Sequence, residues 1–279
     1  MDIKTVLTIA GSDCSGGAGI QADLKTFAAH GVYGMSIVTA VVAENTTRVS
    51  HVHHIPTDNI AHQFDDVFTD IYPQAVKIGM LANVEIMQLV TEKIKGYAPQ
   101  NVVLDPVMYA KGGAALMEED AMDILIKLVV PLADVITPNI PEAEKILGQK
   151  IANREWAAKA ILERCGCKAV LIKGGHDVSD EDSQDLLYDG QYYFYYSDKR
   201  IDTKHIHGTG CTFSSAIAAN LAKGMTLDKA TKFAKKYITK AIKTAPGLGA
   251  GYGPTNHMID ISKLGKRRVS PARERVGTK

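Results

Sequence analysis

The chain has 279 residues, 46% of them hydrophobic and 23% charged, the balance of an ordinary folded enzyme rather than of a disordered or fibrous chain. Its 32 basic and 31 acidic side chains leave a formal charge of +1, which argues against a body built to hold nucleic acid. The charge is uneven: from Lys263 to Lys279 seven basic side chains face one acid, Glu274, with no aromatic residue among them. This predicts one domain over residues 1–262 and a basic, flexible tail over 263–279.

In chain order, short β-branched runs alternate with helix-length segments. Thr5–Ala10 reads as a strand and Ala18–Ala29 as a helix. Ser36–Ala43 and Ala75–Gly79 read as strands, followed by helices over Asp58–Ile71 and Val84–Lys95. Asn101–Asp105 is a strand before a helix over Glu118–Val130, and Asp134–Thr137 a strand before a helix over Trp156–Cys165. Lys168–Lys173 closes the series. Asp189-Gly190, between Asp185–Tyr188 and the tyrosine-rich Gln191–Tyr196, is a hairpin signal. Helices over Thr209–Lys223 and Asp228–Thr244 complete the domain. The strands are apolar on both faces, so the expected fold is α/β, a mostly parallel central sheet with helices on both faces. No run approaches the ~20 apolar residues of a membrane span. Val6–Ala10 is too short for the core of a secretion signal, so no leader is expected.

Sites in open α/β sheets gather where strands end. Here those ends carry Gly11–Gly19, Asp105–Met108, Thr137–Asn139 with Glu142 a turn later, and Lys173–His176. The feature with the most chemistry is His207-Gly208-Thr209-Gly210-Cys211-Thr212, directly before an apolar helix. It places backbone N–H groups at the positive end of a helix with a thiol beside them, which suits a transferring phosphoryl group. A glycine-rich helix cap with no catalytic duty fits the same residues. Gly16–Gly19 lacks the Lys-Ser/Thr ending of a Walker A loop. Cys14, Cys165, Cys167 and Cys211 have neither zinc-knuckle nor disulfide spacing, which points to a reducing cytoplasm. His51, His53, His54 and His62 cluster without a metal-site pattern and are expected to be exposed.

Together, Thr8–Gln21 with Ala22-Asp23-Leu24-Lys25, Ala40–Asn45, Lys77–Leu81, Val103–Lys111, Ile136–Glu144, Lys173–His176 and His207–Cys211 resemble the ribokinase-like superfamily. Within it they resemble the hydroxymethylpyrimidine/phosphomethylpyrimidine kinases of thiamine biosynthesis. Cys14 stands where that pattern has proline, and Tyr109 where a small aliphatic residue is usual. The resemblance implies a ribokinase-like fold and ATP- and Mg²⁺-dependent phosphorylation of 4-amino-5-hydroxymethyl-2-methylpyrimidine, then of its monophosphate. Cys211 would be the base, with Gly208, Thr209 and Gly210 as the phosphoryl nest, and the helix start would lower the thiol pKa. Asn139 and Glu142 would hold Mg²⁺; the same residues also fit Asn139 capping a helix that starts at Pro141, with Glu142 favouring its dipole. Asp105, Asn139, Glu142, Lys173 and Lys235 would serve ATP. Gly11, Asp23, Val42, Glu44, Met80 and Val107 would form the pyrimidine pocket, Asp23 and Glu44 meeting the exocyclic amine. A cytoplasmic homodimer acting on a small molecule, with no nucleic-acid or membrane partner, is expected. Pyridoxal kinase is the alternative on the same scaffold. A transferase with Cys211 as nucleophile and His207 or His176 as base is the alternative of another class.

Overall fold

The computed structural model describes residues 3–108, 121–176, 182–264 and 273–275. Its strands are β1 (Thr5–Asp13), β2 (Tyr33–Asn45), β3 (Arg48–His54), β4 (Ala75–Ile78), β5 (Val102–Leu104), β6 (Val135–Ile136), β7 (Val170–Ile172), β8 (Asp182–Tyr188), β9 (Tyr192–Lys199) and β10 (Arg273–Arg275). The helices are α1 (Gly19–Ala29), α2 (Thr57–Asp70), α3 (Val84–Tyr97), α4 (Ala121–Ile124), α5 (Ile140–Leu147), α6 (Arg154–Cys165), α7 (Thr209–Ala222) and α8 (Leu227–Lys243). α4 passes directly into a π-helical turn, Leu125–Val129, and a 3₁₀ turn, Val130–Leu132. No helix among the described residues is long and apolar enough to cross a membrane.

Among the described residues the ten strands form one sheet in the order β10-β9-β8-β7-β6-β5-β4-β1-β2-β3. The centre, from β2 to β7, is parallel, and β3, β8, β9 and β10 run antiparallel at its edges. The strand order reverses between β1 and β4, the switch point where crevices open in such sheets.

Each strand divides its side chains between two cores by its period of two. Leu7, Ile9, Val76 and Ile78 face one layer with Phe64, Met87, Ile146 and Ile161 from α2, α3, α5 and α6. Val6, Ala75, Val103 and Leu171 face the other with Phe27, Ile217 and Tyr237 from α1, α7 and α8. α7 is enclosed by the sheet, α1 and α8, with every residue from Thr212 to Ala222 buried. Its small side chains, Ala216, Ala218 and Ala219, permit the close approach.

The alternation places Lys77, between Val76 and Ile78, inside the second layer. Its ammonium donates to Asp23 of α1 at 2.8 Å, and both side chains are fully buried. Thr8 and Ser215 also donate to the Asp23 carboxylate, at 2.6 and 2.7 Å. Burial alone would lower the lysine pKa, but the Asp23 charge raises it well above the ordinary range. Asp23 is therefore a structural anion and not the pocket acid expected from the sequence.

Two further differences from the sequence reading have local causes. β3 was not expected: it is an edge strand whose His51, His53 and His54 are exposed, as is His62 on α2, so it lacks an apolar run. α5, eight residues long, is the helix the sequence allowed after Asn139, and Asn139 is its N-cap. Arg273–Arg275 of the expected tail pairs with β9. The remainder of that tail from residue 265, Tyr109, and the start of the helix expected over Glu118–Val130 lie outside the described residues.

Lys77→Met is expected to destabilise the fold by about 3–5 kcal/mol, because it leaves Asp23 charged and buried without its partner. Lys77→Met with Asp23→Asn should recover part of that loss in chemical denaturation. A single variant as stable as the parent would contradict the pairing.

Candidate active site

The Asp13 carboxylate at the end of β1 gathers four donors. Ser15 N–H reaches Oδ1 at 2.7 Å, and Gly17 and Ala18 N–H reach Oδ2 at 3.0 and 2.8 Å. The His207 Nε2–H donates to Oδ2 at 2.8 Å. Burial works to raise the Asp13 pKa, but the bonds from His207, Ser15 and Ala18 outweigh it and hold the carboxyl well below the usual range. Asp13 thereby ties the glycine loop of residues 14–18 to the turn that starts α7.

The two loops touch through their backbones. A Cβ on Gly208 would lie 1.8 Å from Gly17 O, and one on Gly17 would lie 2.4 Å from the His207 ring. Gly208 adopts φ +75° as the N-cap of α7, a conformation glycine takes without steric penalty. Thr209 N–H bonds Ile206 O at 3.2 Å and Thr212 N–H bonds Gly208 O at 2.9 Å. The amides of Gly210 and Cys211, in the first turn of the helix, have no acceptor inside it. They open on a cleft of about 850 Å³.

The floor of that cleft is charge-paired. Lys173 Nζ lies 2.7 Å from Asp105 Oδ1 and 3.9 Å from Glu142 Oε2. Burial would lower the lysine pKa, but Asp105 and Glu142 raise it. Lys235 pairs with Asp185 at 2.8 Å, and the other Asp185 oxygen accepts from Gly174 N–H at 2.9 Å. Asn139 and Glu142 form a capping box at the start of α5: Asn139 Oδ1 accepts from Glu142 N–H at 2.9 Å, and Glu142 Oε2 from Asn139 N–H at 2.7 Å. The amide oxygen expected on a metal is thus engaged by the helix cap. Asp105 Oδ2 lies 3.0 Å from where a Gly210 Cβ would stand, so the missing side chain leaves a carboxylate oxygen facing the turn. Hard carboxylate oxygens of this kind fit a divalent cation such as Mg²⁺, which takes one or two carboxylates and completes its shell with water and phosphate.

Cys211 departs from the sequence expectation. Burial pushes its thiol up to about 11; Lys77 pulls it down, and Asp23 and Asp105 push it up further. Desolvation outweighs Lys77 and the hydrogen bond from the Gly19 backbone, so the resting thiol is protonated at neutral pH.

Of the six residues expected to line a pocket, Glu44 and Val107 line the cleft. Val42 and Met80 are buried with Ala40 and Ala82 in a small apolar cluster that Val107 packs against, and Gly11 lies against Met80 and Ala40. Burial, then the Asp13 charge, raises the Glu44 carboxyl to about 7, with His207 opposing. Asp13 as a hub and Asp185 as the partner of Lys235 are not among the residues the motifs single out. An acid at a strand end before a run of six small residues, Cys14 to Gly19, was the available signal for the first. The His207 ring named as a base in the Cys-nucleophile reading gives its Nε2 to Asp13.

Residues 13–256 match the family model described as phosphomethylpyrimidine kinase. A Bacillus subtilis protein named hydroxymethylpyrimidine/phosphomethylpyrimidine kinase is 45% identical over 259 residues, covering 92% of this chain and 96% of its own. Among solved structures, a Clostridium difficile phosphomethylpyrimidine kinase is 46% identical with a TM-score of 0.76, covering 86% of this chain and 99% of its own. The ADP complex of a Bacillus subtilis pyridoxal kinase is 42% identical with a TM-score of 0.85, covering 92% and 98%.

Gly208→Ala is expected to retain the far-UV spectrum but to weaken nucleotide-dependent turnover by at least about 10²-fold, since the added methyl must part the two loops. Turnover within a few-fold of the parent would show that this contact does not set the geometry of the turn.

Proposed function

The chain belongs to the phosphomethylpyrimidine kinase family, and from that membership we infer that it phosphorylates 4-amino-5-hydroxymethyl-2-methylpyrimidine and then its monophosphate, with ATP as donor, in thiamine biosynthesis. The observation that carries the reading is the open α7 start: the Gly210 and Cys211 amides face a cleft whose rim holds Glu44 and whose floor holds Lys173. One end of the cleft takes a small heterocycle. The other, bounded by Phe213, Ile206, Ile238 and Ile242, offers an apolar surface suited to a flat nucleobase.

In this reading the amides of α7 receive the transferred phosphoryl group. They are fixed before substrate arrives, so they stabilise the growing equatorial charge without reorganisation. Lys173 and Lys235 provide positive charge to the nucleotide phosphates, Lys173 by turning from Asp105 towards them. Asp105 and Glu142 would hold Mg²⁺, which would neutralise phosphate charge in the bound complex. Cys211 takes the proton of the attacking hydroxyl. Because the resting thiol is protonated, the competent thiolate is a small fraction at neutral pH and grows as pH rises. Val42, Met80 and Val107 supply apolar contact to the ring, and Glu44 the polar one. A cytoplasmic homodimer completes the proposal; the four free thiols suit a reducing compartment.

Two variants test it. Cys211→Ala is expected to lower kcat by about 10²–10⁴-fold and to remove the rise of kcat with pH, leaving nucleotide affinity close to that of the parent. Retention of most of kcat would assign the catalysis to the amides alone.

Glu44→Met tests the substrate against pyridoxal, which the scaffold admits on the strength of its kinase neighbour. Pyridoxal lacks the exocyclic amine. An unpaired buried polar group costs about 1–3 kcal/mol, roughly 5- to 150-fold in selectivity. The ratio of kcat/KM for hydroxymethylpyrimidine to that for pyridoxal should fall by that factor in the variant. A parent enzyme preferring pyridoxal would overturn the substrate assignment and leave the kinase standing.

A further inference from the structure

Glu44 does not meet the cleft alone. One oxygen of its carboxyl, one of Asp13 and a ring nitrogen of His207 lie within 4.8 Å of one another. They come from the end of β1, the end of β2 and the turn before α7. Asp13 already collects three amides and the imidazole, so its negative charge is stabilised in place. The residue of β3 opposite Glu44 is Val49, which brings no charge.

The Glu44 main chain is also held. The β1–β2 ladder ends at Asp13 opposite Val42, and β2 bulges against β3 between Ala43 and Glu44. Beyond that point Cys14 continues the ladder with its side chain: the thiol donates to Glu44 O at 3.1 Å and accepts from Glu44 N–H at 3.4 Å. This fastening keeps the Glu44 main chain beside Asp13. Two carboxyls so close do not both ionise readily, and the one with four donors keeps the charge.

We propose that Asp13 is a positioning residue that keeps Glu44 a neutral acid, with His207 holding Asp13 in place and setting the upper limit of that neutral range, so that the pocket selects a heterocycle bearing an amine beside an unprotonated ring nitrogen. The inference rests on the pyrimidine reading above. A neutral carboxyl donates its O–H to the ring nitrogen while its carbonyl accepts from the amine, giving two parallel bonds. An ionised carboxylate offers only acceptors and repels the ring nitrogen. The Glu44 carboxyl, at about 7, is placed to make this distinction near neutrality.

The test is calorimetric binding of 4-amino-5-hydroxymethyl-2-methylpyrimidine without nucleotide, which removes Cys211 chemistry from the readout, between about pH 6 and pH 9. Affinity should hold to near neutrality and then weaken about tenfold per pH unit. Glu44→Gln, whose amide also donates and accepts, should bind within about tenfold of the parent and lose that alkaline decline; it also reports the ligand's own titration. Asp13→Asn should move the break to lower pH and His207→Gln to higher pH, with folding checked by thermal melts. If Asp13→Asn does not fold, the direction of the His207→Gln shift decides alone. A flat parent profile, an affinity that rises with pH, or loss of binding in Glu44→Gln across the range would overturn the proposal. A folded parent that binds no pyrimidine at any pH would overturn the substrate reading beneath it.

Discussion

A single carboxylate, that of Asp13, connects the parts on which the site depends. Its four donors come from two loops that are far apart in sequence, and each loop alone is mostly glycine and small polar residues with little to hold it. Bound to one anion, the loops approach until Gly17 and Gly208 leave no room for a methyl group. The direction of the first amides of α7 follows, because the helix body cannot tilt independently: it is enclosed by the sheet, α1 and α8. A rigid helix and a fixed loop produce a charge-receiving turn that is ready before any ligand arrives.

The same economy recurs around the cleft. Asp23 with Lys77, Asp105 with Lys173 and Asp185 with Lys235 each pair a buried or half-buried lysine with an acid from a different element. The first pair is deepest and joins β4 to α1. The other two border the cleft, where an incoming polyanion competes for the lysines. An ion pair next to solvent can change partners at modest cost, whereas a fully buried one cannot. Depth therefore divides pairs that hold the sheet from pairs available to ligand.

The strands of the parallel centre were legible because each is a short apolar run bounded by glycine, proline or acid, and the Asp189-Gly190 hairpin because its turn chemistry is specific. β3 was not, since an edge strand needs no apolar face. Asp23 illustrates a deeper limit. Its motif marked it as site chemistry, but only the face of α1 decides its partners: with Ile20, Thr26 and Phe27 it points at the sheet, and Lys77 meets it there. Glu44 could be placed at a strand end from sequence; that it shares its space with Asp13 and His207 depends on strand pairing and, for His207, on a contact across more than 150 residues. For Cys211 the helix start was visible and its burial was not, and burial decides the direction of the thiol pKa.

The fastening of Glu44 by Cys14 has a practical consequence for covalent probes. Cys14 is exposed and bonded to the Glu44 main chain, whereas Cys211 is half-buried and protonated at rest. A small electrophile meets the outer thiol first, and its adduct replaces the S–H that holds the Glu44 carbonyl. Inactivation by an alkylating agent therefore reports the recognition end of the cleft before the transfer end, and only a chain already lacking Cys14 lets such a reagent interrogate Cys211.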